Sequence, residues 1–436
     1  MGLGRFLRDG GWVIFGQLVS ALGALAAIRI VTELLSPDAF GRLTLLVGVS
    51  ALVHNLTAVP TMQSVIRFFA DCSNQGDIAA LRRVSGTLIA RSVMFGAFGL
   101  VLLWAMIGSK WGDAPYTGAL VASALIIDAA RNFEFGLFNA ARRQRAAALI
   151  VVADAWCRPI LAVISVSFFG ASAQSVLVGY IVASALVVAT MRATMSLEGR
   201  AVQSSELIPP KADGKMERLA LAIRRYSMPL IPVAIFGWFN GMGDRYIIGA
   251  MIGLEQAGLY AAAYGLVSRP FLMVASTVEL IFRPILHNAI AADNRKRIKQ
   301  VERLWLAAVG VCSAIGVIGF YEFSDVIVRI MFAESYGQAR YIMPWIAAGS
   351  ALFNIATVLT RFCYAFNDTW NAFLVIGMGT AITILVLVPL VFYYGLIGAA
   401  VANPIYFGAQ ILLALFFSKR SEKHFHLTKV VQAVQT

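Results

Sequence analysis

The chain is poor in charge: only 14% of its 436 residues are Asp, Glu, Lys or Arg, where a soluble domain carries about 25%. With 59% hydrophobic residues and a mean hydropathy of +0.76, that shortage excludes a soluble enzyme and a disordered chain. Cysteine is scarce too. Cys72, Cys157, Cys312 and Cys363 show no CxxC spacing and three fall in apolar blocks, which excludes a disulfide scaffold and a thiolate metal site. The sequence has no GxxxxGK followed by Ser or Thr, no HExxH and no GxSxG. His54, His287, His424 and His426 are scattered, and the last two sit in a basic tail that reads as a solvated charge run. No catalytic residue, cofactor or metal is therefore expected. The largest outer segment, 321–340, is too short for the carboxylate- or arginine-bearing loop of a membrane polymerase or glycosyltransferase.

What the chain does have is long apolar blocks. About 20 such residues make a spanning helix, and twelve candidates follow: 12–35, 43–66, 85–107, 116–139, 147–169, 173–192, 226–252, 257–285, 304–320, 341–366, 371–392 and 396–418. The first is expected to be a span and not a cleaved signal, because it is too long for an h-region and carries Arg29 near its far end. Gly2 does not match a myristoylation signal, since position 6 is Phe. The fold class expected is an all-α integral membrane protein.

The formal net charge of +13 would point to nucleic acid in a soluble chain. Here topology accounts for it. With both termini on the cytoplasmic side, 26 of the 36 Lys and Arg residues fall inside, 4 outside and 6 within spans, the bias that orients membrane proteins. No nucleic-acid partner is expected. The Pro-Pro and Ser-Ser pairs of 193–225 mark a cytoplasmic linker. It separates a six-span lobe, 1–192, from a second, 226–418, and a basic cytoplasmic tail follows over 419–436. KMERLALAIRRY (215–226) reads equally as an amphipathic helix on the anionic inner leaflet and as a solvated connector. A parallel internal repeat is suggested by AFGRLTLLVG (39–48) and QAGLYAAAYG (256–265), which share Gly-x6-Gly at Gly41/Gly48 and Gly258/Gly265.

Six arginines lie within the spans: Arg29, Arg91, Arg131, Arg158, Arg245 and Arg269. One arginine facing lipid at a helix centre costs roughly 2.5–3.5 kcal/mol, so the deep ones must face protein or a wet cavity. Arg91 is near the inner surface and can snorkel. Arg29 has Glu33 at i+4, Arg131 has Asp128 at i−3 and Arg158 has Asp154 at i−4, all spacings that share a helix face. Interhelical pairs, Asp128–Arg158 and Asp154–Arg131, are the alternative, and for these two arginines a structural and a functional role weigh equally. Asp244 and Arg245 are adjacent, so their side chains point about 100° apart. Arg269 has no carboxylate within a turn in sequence and precedes Pro270, as Arg158 precedes Pro159; proline can open the backbone toward a cavity. Arg269 and Arg245 lead as anion-site candidates, followed by Arg29, Arg158 and Arg131. Asp244, Asp154, Asp128 and Glu279 are candidates for coupling or charge pairing. His54 and Asn55 read as interhelical hydrogen-bond groups.

Four segments carry a resemblance. NGMGDRYIIGAMIGLEQAGLYAAAYGLVSRP (240–270) resembles the junction of spans 7 and 8 in polysaccharide flippases, with its Asp-Arg step and Gly-Leu-Tyr turn. ELLSPDAFGRLTLLV (33–47), YGQARYIMPWIAAGSAL (336–352) and FCYAFNDTWNAFLVIGMG (362–379) are similar to the family's first turn, the start of span 10 and the hinge of spans 10 and 11. The family is the O-antigen/polysaccharide (Wzx-type) flippases of the MOP superfamily, related to MurJ-type flippases and MATE antiporters. The resemblance implies two six-helix lobes in the bacterial inner membrane that carry an oligosaccharide on undecaprenyl pyrophosphate to the outer leaflet. It implies membrane lipids, a coupling ion (H+ or Na+) and other polysaccharide-assembly membrane proteins as partners, and a non-enzymatic role. The alternative is a MATE-like antiporter of organic cations.

Overall fold

Breaks in the apolar pattern become the breaks between helices. The computed structural model describes residues 3–108, 116–141, 143–202 and 213–435. Among these residues every regular element is helical. Two compact units result, the first formed by Met1–Leu35 with Arg42–Trp238 and the second by Ser36–Gly41 with Phe239–Thr436.

The first unit contains α1 (Leu3–Leu34), most of α2 (Pro37–Thr57), α3 (Val59–Asn74), α4 (Ile78–Ile107), α5 (Thr117–Ala140), α6 (Gln144–Phe169), α7 (Ala173–Val202), α8 (Asp213–Ser227) and α9 (Leu230–Trp238). Helix α6 packs on α1 and α7, and α5 on α4 and α7. Large apolar side chains point outward, as a lipid-facing wall requires: Phe95 and Phe98 on α4 and Phe168 on α6 are all strongly exposed. The second unit contains α10 (Asp244–Ile252), α11 (Leu254–Ala291), α12 (Arg295–Glu322), α13 (Ser324–Met331), α14 (Ala339–Ala365) and α15 (Thr369–Gln435). Asn294 caps α12 by accepting from the Arg297 N–H at 3.0 Å, and Asp368 does the same for Asn371 at the start of α15, also at 3.0 Å.

Nine helices among the described residues are long and apolar enough to cross a membrane, or ten if the bent pair Met216–Ser227 and Leu230–Ile252, which meet at 45°, forms one span. The chain is thus a multi-pass membrane protein. Two features separate this number from twelve. Helix α5 carries Asp128, Arg131 and Glu134 in 24 residues, too many charges for an apolar span judged alone. Helix α15 is 67 residues long and is broken at Gly395, whose φ of 59° and ψ of −136° are non-helical. At 1.5 Å per residue it has the length of two spans, 371–392 and 396–418.

Much of the segment read as a linker is helical. Residues 193–202 continue α7, and 213–225 belong to α8; positions 203–212, with the Pro-Pro pair, lie outside the described residues, as do Gly2, Lys110 and Arg142. Helix α8 packs on α3 and α4, with Ile223 fully buried and the Tyr226 ring edge-on to Phe68 at 6.1 Å.

The first glycines of the two repeat segments, Gly41 and Gly258, meet in the second unit. A Cβ on Gly41 would strike the Leu254 carbonyl oxygen and come within 3.0 Å of the Gly258 nitrogen; a Cβ on Gly258 would strike the Pro37 carbonyl oxygen and come within 2.8 Å of the Gly41 nitrogen. Pro37 stands four residues before Gly41 and Leu254 four before Gly258, so the first turns of α2 and α11 touch through corresponding atoms. Phe40 adds an edge-to-face contact with buried Tyr336 at 6.1 Å. Burial pushes the Tyr336 phenol pKa well above its usual value.

Candidate functional site

Sequence spacing puts Asp128 and Arg131 on one face of α5 and Asp154 and Arg158 on one face of α6. The structure joins the two faces. Arg158 donates from Nη2 to Asp128 at 3.0 Å and from Nε to Asp154 at 3.2 Å. Arg131 pairs with Asp128 at 3.3 Å and donates to Asp154 across the helices. The local and the interhelical pairings are therefore both made, and the four charges close a ring. Ser184 of α7 completes it, accepting from Arg158 at 3.1 Å and donating to Asp128 at 3.0 Å, while the Arg158 guanidinium lies 5.7 Å from the Tyr180 ring centre. A cavity of about 20 Å³ opens beside Asp128, Arg158, Tyr180 and Ser184, room for roughly one water. His54 Nε2 lies 3.0 Å from Asn132 Nδ2 on α5, the interhelical bond expected of His54. Asn55 bonds within its own helix, donating to the Ala51 carbonyl at 2.7 Å.

The ring holds two carboxylates and two guanidiniums, a net charge of zero. Its ion pairs are a fifth to a third exposed, the side chains running from 18% at Arg131 to 33% at Asp128.

A second cluster was not legible in the sequence. Glu134, six residues beyond Asp128 on α5, is 2% exposed and accepts from Arg82 Nη2 at 3.0 and 2.9 Å and from Arg192 Nε at 3.1 Å. Arg82 lies just before the apolar stretch 85–107 and Arg192 at the very end of 173–192; α4 and α7 continue through both positions and bring them in. A third charge in a largely apolar helix, beyond the Asp128–Arg131 pair, was the available signal, since such a group needs partners. This cluster carries a formal net charge of +1.

In the second unit, a π-helical turn, Phe239–Gly243, stands directly before Asp244 and the start of α10. Such turns displace backbone hydrogen bonds and occur often at functional sites. Arg245 Nη1 donates to the Gly241 carbonyl at 2.6 Å, and its guanidinium sits 4.8 Å from the Tyr264 ring centre. Asp244 Oδ1 accepts from the Arg245 backbone N–H at 2.8 Å, whereas the two side chains are 3.8 Å apart. The adjacent side chains thus still reach one another as a long ion pair, which sequence spacing disfavours, and both are buried. Next in the same core, Asn403 donates to the Tyr260 hydroxyl and accepts from that of Tyr406, each at 2.7 Å.

The remaining candidates are more open. Arg29, half-buried on α1, is paired with Glu33. Arg269 is exposed on α11, and Arg91 is exposed on α4. Neither Pro159 nor Pro270 ends its helix: α6 and α11 continue through them. Glu279 binds Arg361 at 3.1 Å and Arg283 at 3.6 Å. All four cysteines are free.

The polysaccharide biosynthesis protein family model matches residues 6–288. Among curated proteins, the chain is 23% identical over 194 residues to the probable low-salt glycan biosynthesis flippase Agl15 of Haloferax volcanii, covering 44% of this chain and 41% of that protein. It is 24% identical over 209 residues to an uncharacterized membrane protein of Methanocaldococcus jannaschii, covering 47% of each. The matched region thus spans less than half the length of either relative. Among solved structures, the fold is shared with the lipid II flippase MurJ in an inward closed conformation, at a TM-score of 0.69 and 13% identity over 98% of this chain and 93% of that one. It is also shared with an inward-facing MATE multidrug transporter of the MOP superfamily, at 0.66 and 11% over 93% and 96%. With a family match across well over half its length, the chain belongs to the polysaccharide biosynthesis protein family.

Proposed function

We propose that the protein is a flippase that carries an oligosaccharide on undecaprenyl pyrophosphate from the inner to the outer leaflet by alternating access, in surface polysaccharide (O-antigen or exopolysaccharide) assembly. The observation that carries this reading is the family match joined to a fold shared with a lipid II flippase over nearly the whole chain. The proposal includes twelve spans in two six-helix lobes, a connection over 193–225 and both termini in the cytoplasm, in the inner membrane of a bacterium. It includes no chemical step.

The diphosphate needs cations, and the neutral ring offers none in excess. Arg269, Arg245 and Arg29 are proposed as its first partners. Arg158 and Arg131 take part only when an arriving anion displaces Asp128 or Asp154. Asp244, Asp154, Asp128 and Glu279 are proposed to accept or release the coupling ion, H+ or Na+. Membrane lipids and other polysaccharide-assembly membrane proteins are the expected partners.

Deleting the gene should leave lipid-linked oligosaccharide on the cytoplasmic leaflet, read by mass spectrometry of extracted lipids and by protection from an added glycosidase. Normal surface glycan with no accumulated intermediate would remove the proposal. Within it, Arg269→Ala should reduce export 10-fold or more at unchanged protein level, because a hydrogen bond to a charged group contributes about 1.5–3 kcal/mol. Undiminished export by that variant would exclude Arg269 from the diphosphate site.

A MATE-like antiporter of organic cations is the second reading, supported by the fold likeness to multidrug transporters and by the carboxylates of the ring. Altered resistance to organic cations on deletion, with glycan export intact, would favour it.

A further inference from the structure

The inner end of the second unit holds a cavity that the proposed transport path does not use. It has a volume of about 360 Å³ and is lined by Asn367, Asp368, Trp370 and Asn371 from the turn between α14 and α15, and by Arg420 and His424 from the far part of α15. That volume falls in the ~300–1,000 Å³ range of small-ligand clefts.

Two contacts fix the turn against α15. Asp368 Oδ2 accepts from Asn371 Nδ2 at 2.7 Å and from the Ser421 hydroxyl at 3.0 Å, while its Oδ1 accepts from the Asn371 backbone N–H at 3.0 Å. One turn farther along, Phe425 packs on Phe366 with ring centres 5.4 Å apart. Ser421 and Phe425 therefore anchor one stripe of the helix. Arg420 and His424, also four residues apart, form the neighbouring stripe and line the opening. Three donors hold the Asp368 carboxylate in the wall, where it is one negative charge beside the two basic side chains. Arg420 makes no ion pair among the described residues.

The remaining wall is aromatic. Trp370 is 66% exposed and stacks on Phe373 with ring centres 5.5 Å apart. A large aromatic ring at the end of a span, beside basic residues, is the arrangement of a membrane–water interface. The cavity lies at that level because α14 ends at Ala365, α15 begins at Thr369 and Arg420 follows the second apolar stretch of α15.

We propose that this cavity binds the phosphate of an anionic phospholipid headgroup, with Arg420 and His424 on the phosphate and Trp370 against the glycerol and upper acyl chain. The assignment requires only that this end of the unit lie at the membrane surface, and it stands or falls independently of what the protein carries.

The test uses the full chain, purified in a neutral detergent and followed by native mass spectrometry and thermal unfolding. Phosphatidylglycerol should give a tightly retained adduct and raise the melting midpoint; phosphatidylcholine should do so at least 5-fold more weakly. Arg420→Gln and His424→Gln, both at exposed positions, should each weaken phosphatidylglycerol binding at least 3-fold, and Trp370→Ala should weaken both lipids. Equal retention of the two lipids, or unchanged phosphatidylglycerol binding in the Arg420 and His424 variants, would overturn the proposal. So would full competition by millimolar inorganic phosphate, which would make free phosphate the ligand. Intact lipid binding by the purified protein, with glycan export unaltered when the gene is deleted, would support this site while removing the flippase reading.

Discussion

Asp154→Ala is expected to destabilise the protein more than any substitution of a single exposed charge. Asp154 accepts from both Arg131 and Arg158, and its loss leaves two guanidiniums sharing Asp128. Breaking a buried pair by removing one partner costs about 3–5 kcal/mol, because the other charge stays desolvated and unpaired. Partial exposure of the ring puts this site near the low end. Charge balance is the cause, so a compensating change should recover much of the loss: Asp154→Asn combined with Arg158→Gln restores neutrality and keeps polar side chains in place. The expected result, from thermal unfolding in detergent, is a double variant less destabilised than Asp154→Ala alone and by less than the sum of its own single changes. Strict additivity would show that the four charges do not act together.

Gly258→Val is expected to have a comparable effect by a different route. Its side chain would meet the Pro37 carbonyl oxygen and the Gly41 nitrogen, both backbone atoms that no rotamer change can move. Overpacking typically costs 1–3 kcal/mol, and rigid backbone on both sides puts valine at or above the upper figure. Alanine should do less, and the reciprocal geometry makes a sharper forecast. Gly41→Ala and Gly258→Ala each push the same two helix starts apart. Once one has separated them, the second finds open space. The pair should therefore be strongly non-additive, with the double variant little worse than the weaker single one. A sum of two full penalties would mean that the two collisions are relieved independently.

These expectations differ in how far they could be read from sequence. The charge pairs within α5 and α6 follow from helical spacing, and the interhelical pairs from the need to neutralise charge in lipid; nothing in the sequence predicted that all four would form together. Arg82 and Arg192 escaped because they sit at the margins of their apolar stretches, where hydropathy does not show that the helix continues. Glu134 could have pointed to them, since it is left over once Asp128 and Arg131 pair and a buried carboxylate requires donors. Gly41 and Gly258 were legible as a repeat, but similarity of two segments does not show that they touch. The π-helical turn before Asp244 left no mark, because FNGMG differs from an ordinary helical turn only in how its hydrogen bonds are shared. The prolines after Arg158 and Arg269 suggest an opened backbone, yet α6 and α11 continue through both. Helix α15 was the opposite case: Gly395, between two apolar blocks, is where its backbone leaves the helical region.

Helix α5 also constrains how the chain is made. Its three charges would each cost roughly 2.5–3.5 kcal/mol at the centre of a helix entering lipid alone, against about 0.3–0.6 kcal/mol gained per large apolar residue. When α5 emerges its charges have only the local Asp128–Arg131 pair and, for Glu134, Arg82 on α4 to balance them among the described residues. Arg158 and Asp154 follow on α6, and Arg192 comes about 50 residues after the end of α5 at Ala140, which at ~5–20 residues per second is roughly 3–10 s of synthesis. For that interval α5 is a poor candidate to partition into the bilayer by itself. It should linger in the insertion machinery until α6 and α7 arrive, and the three helices should enter the membrane as a group.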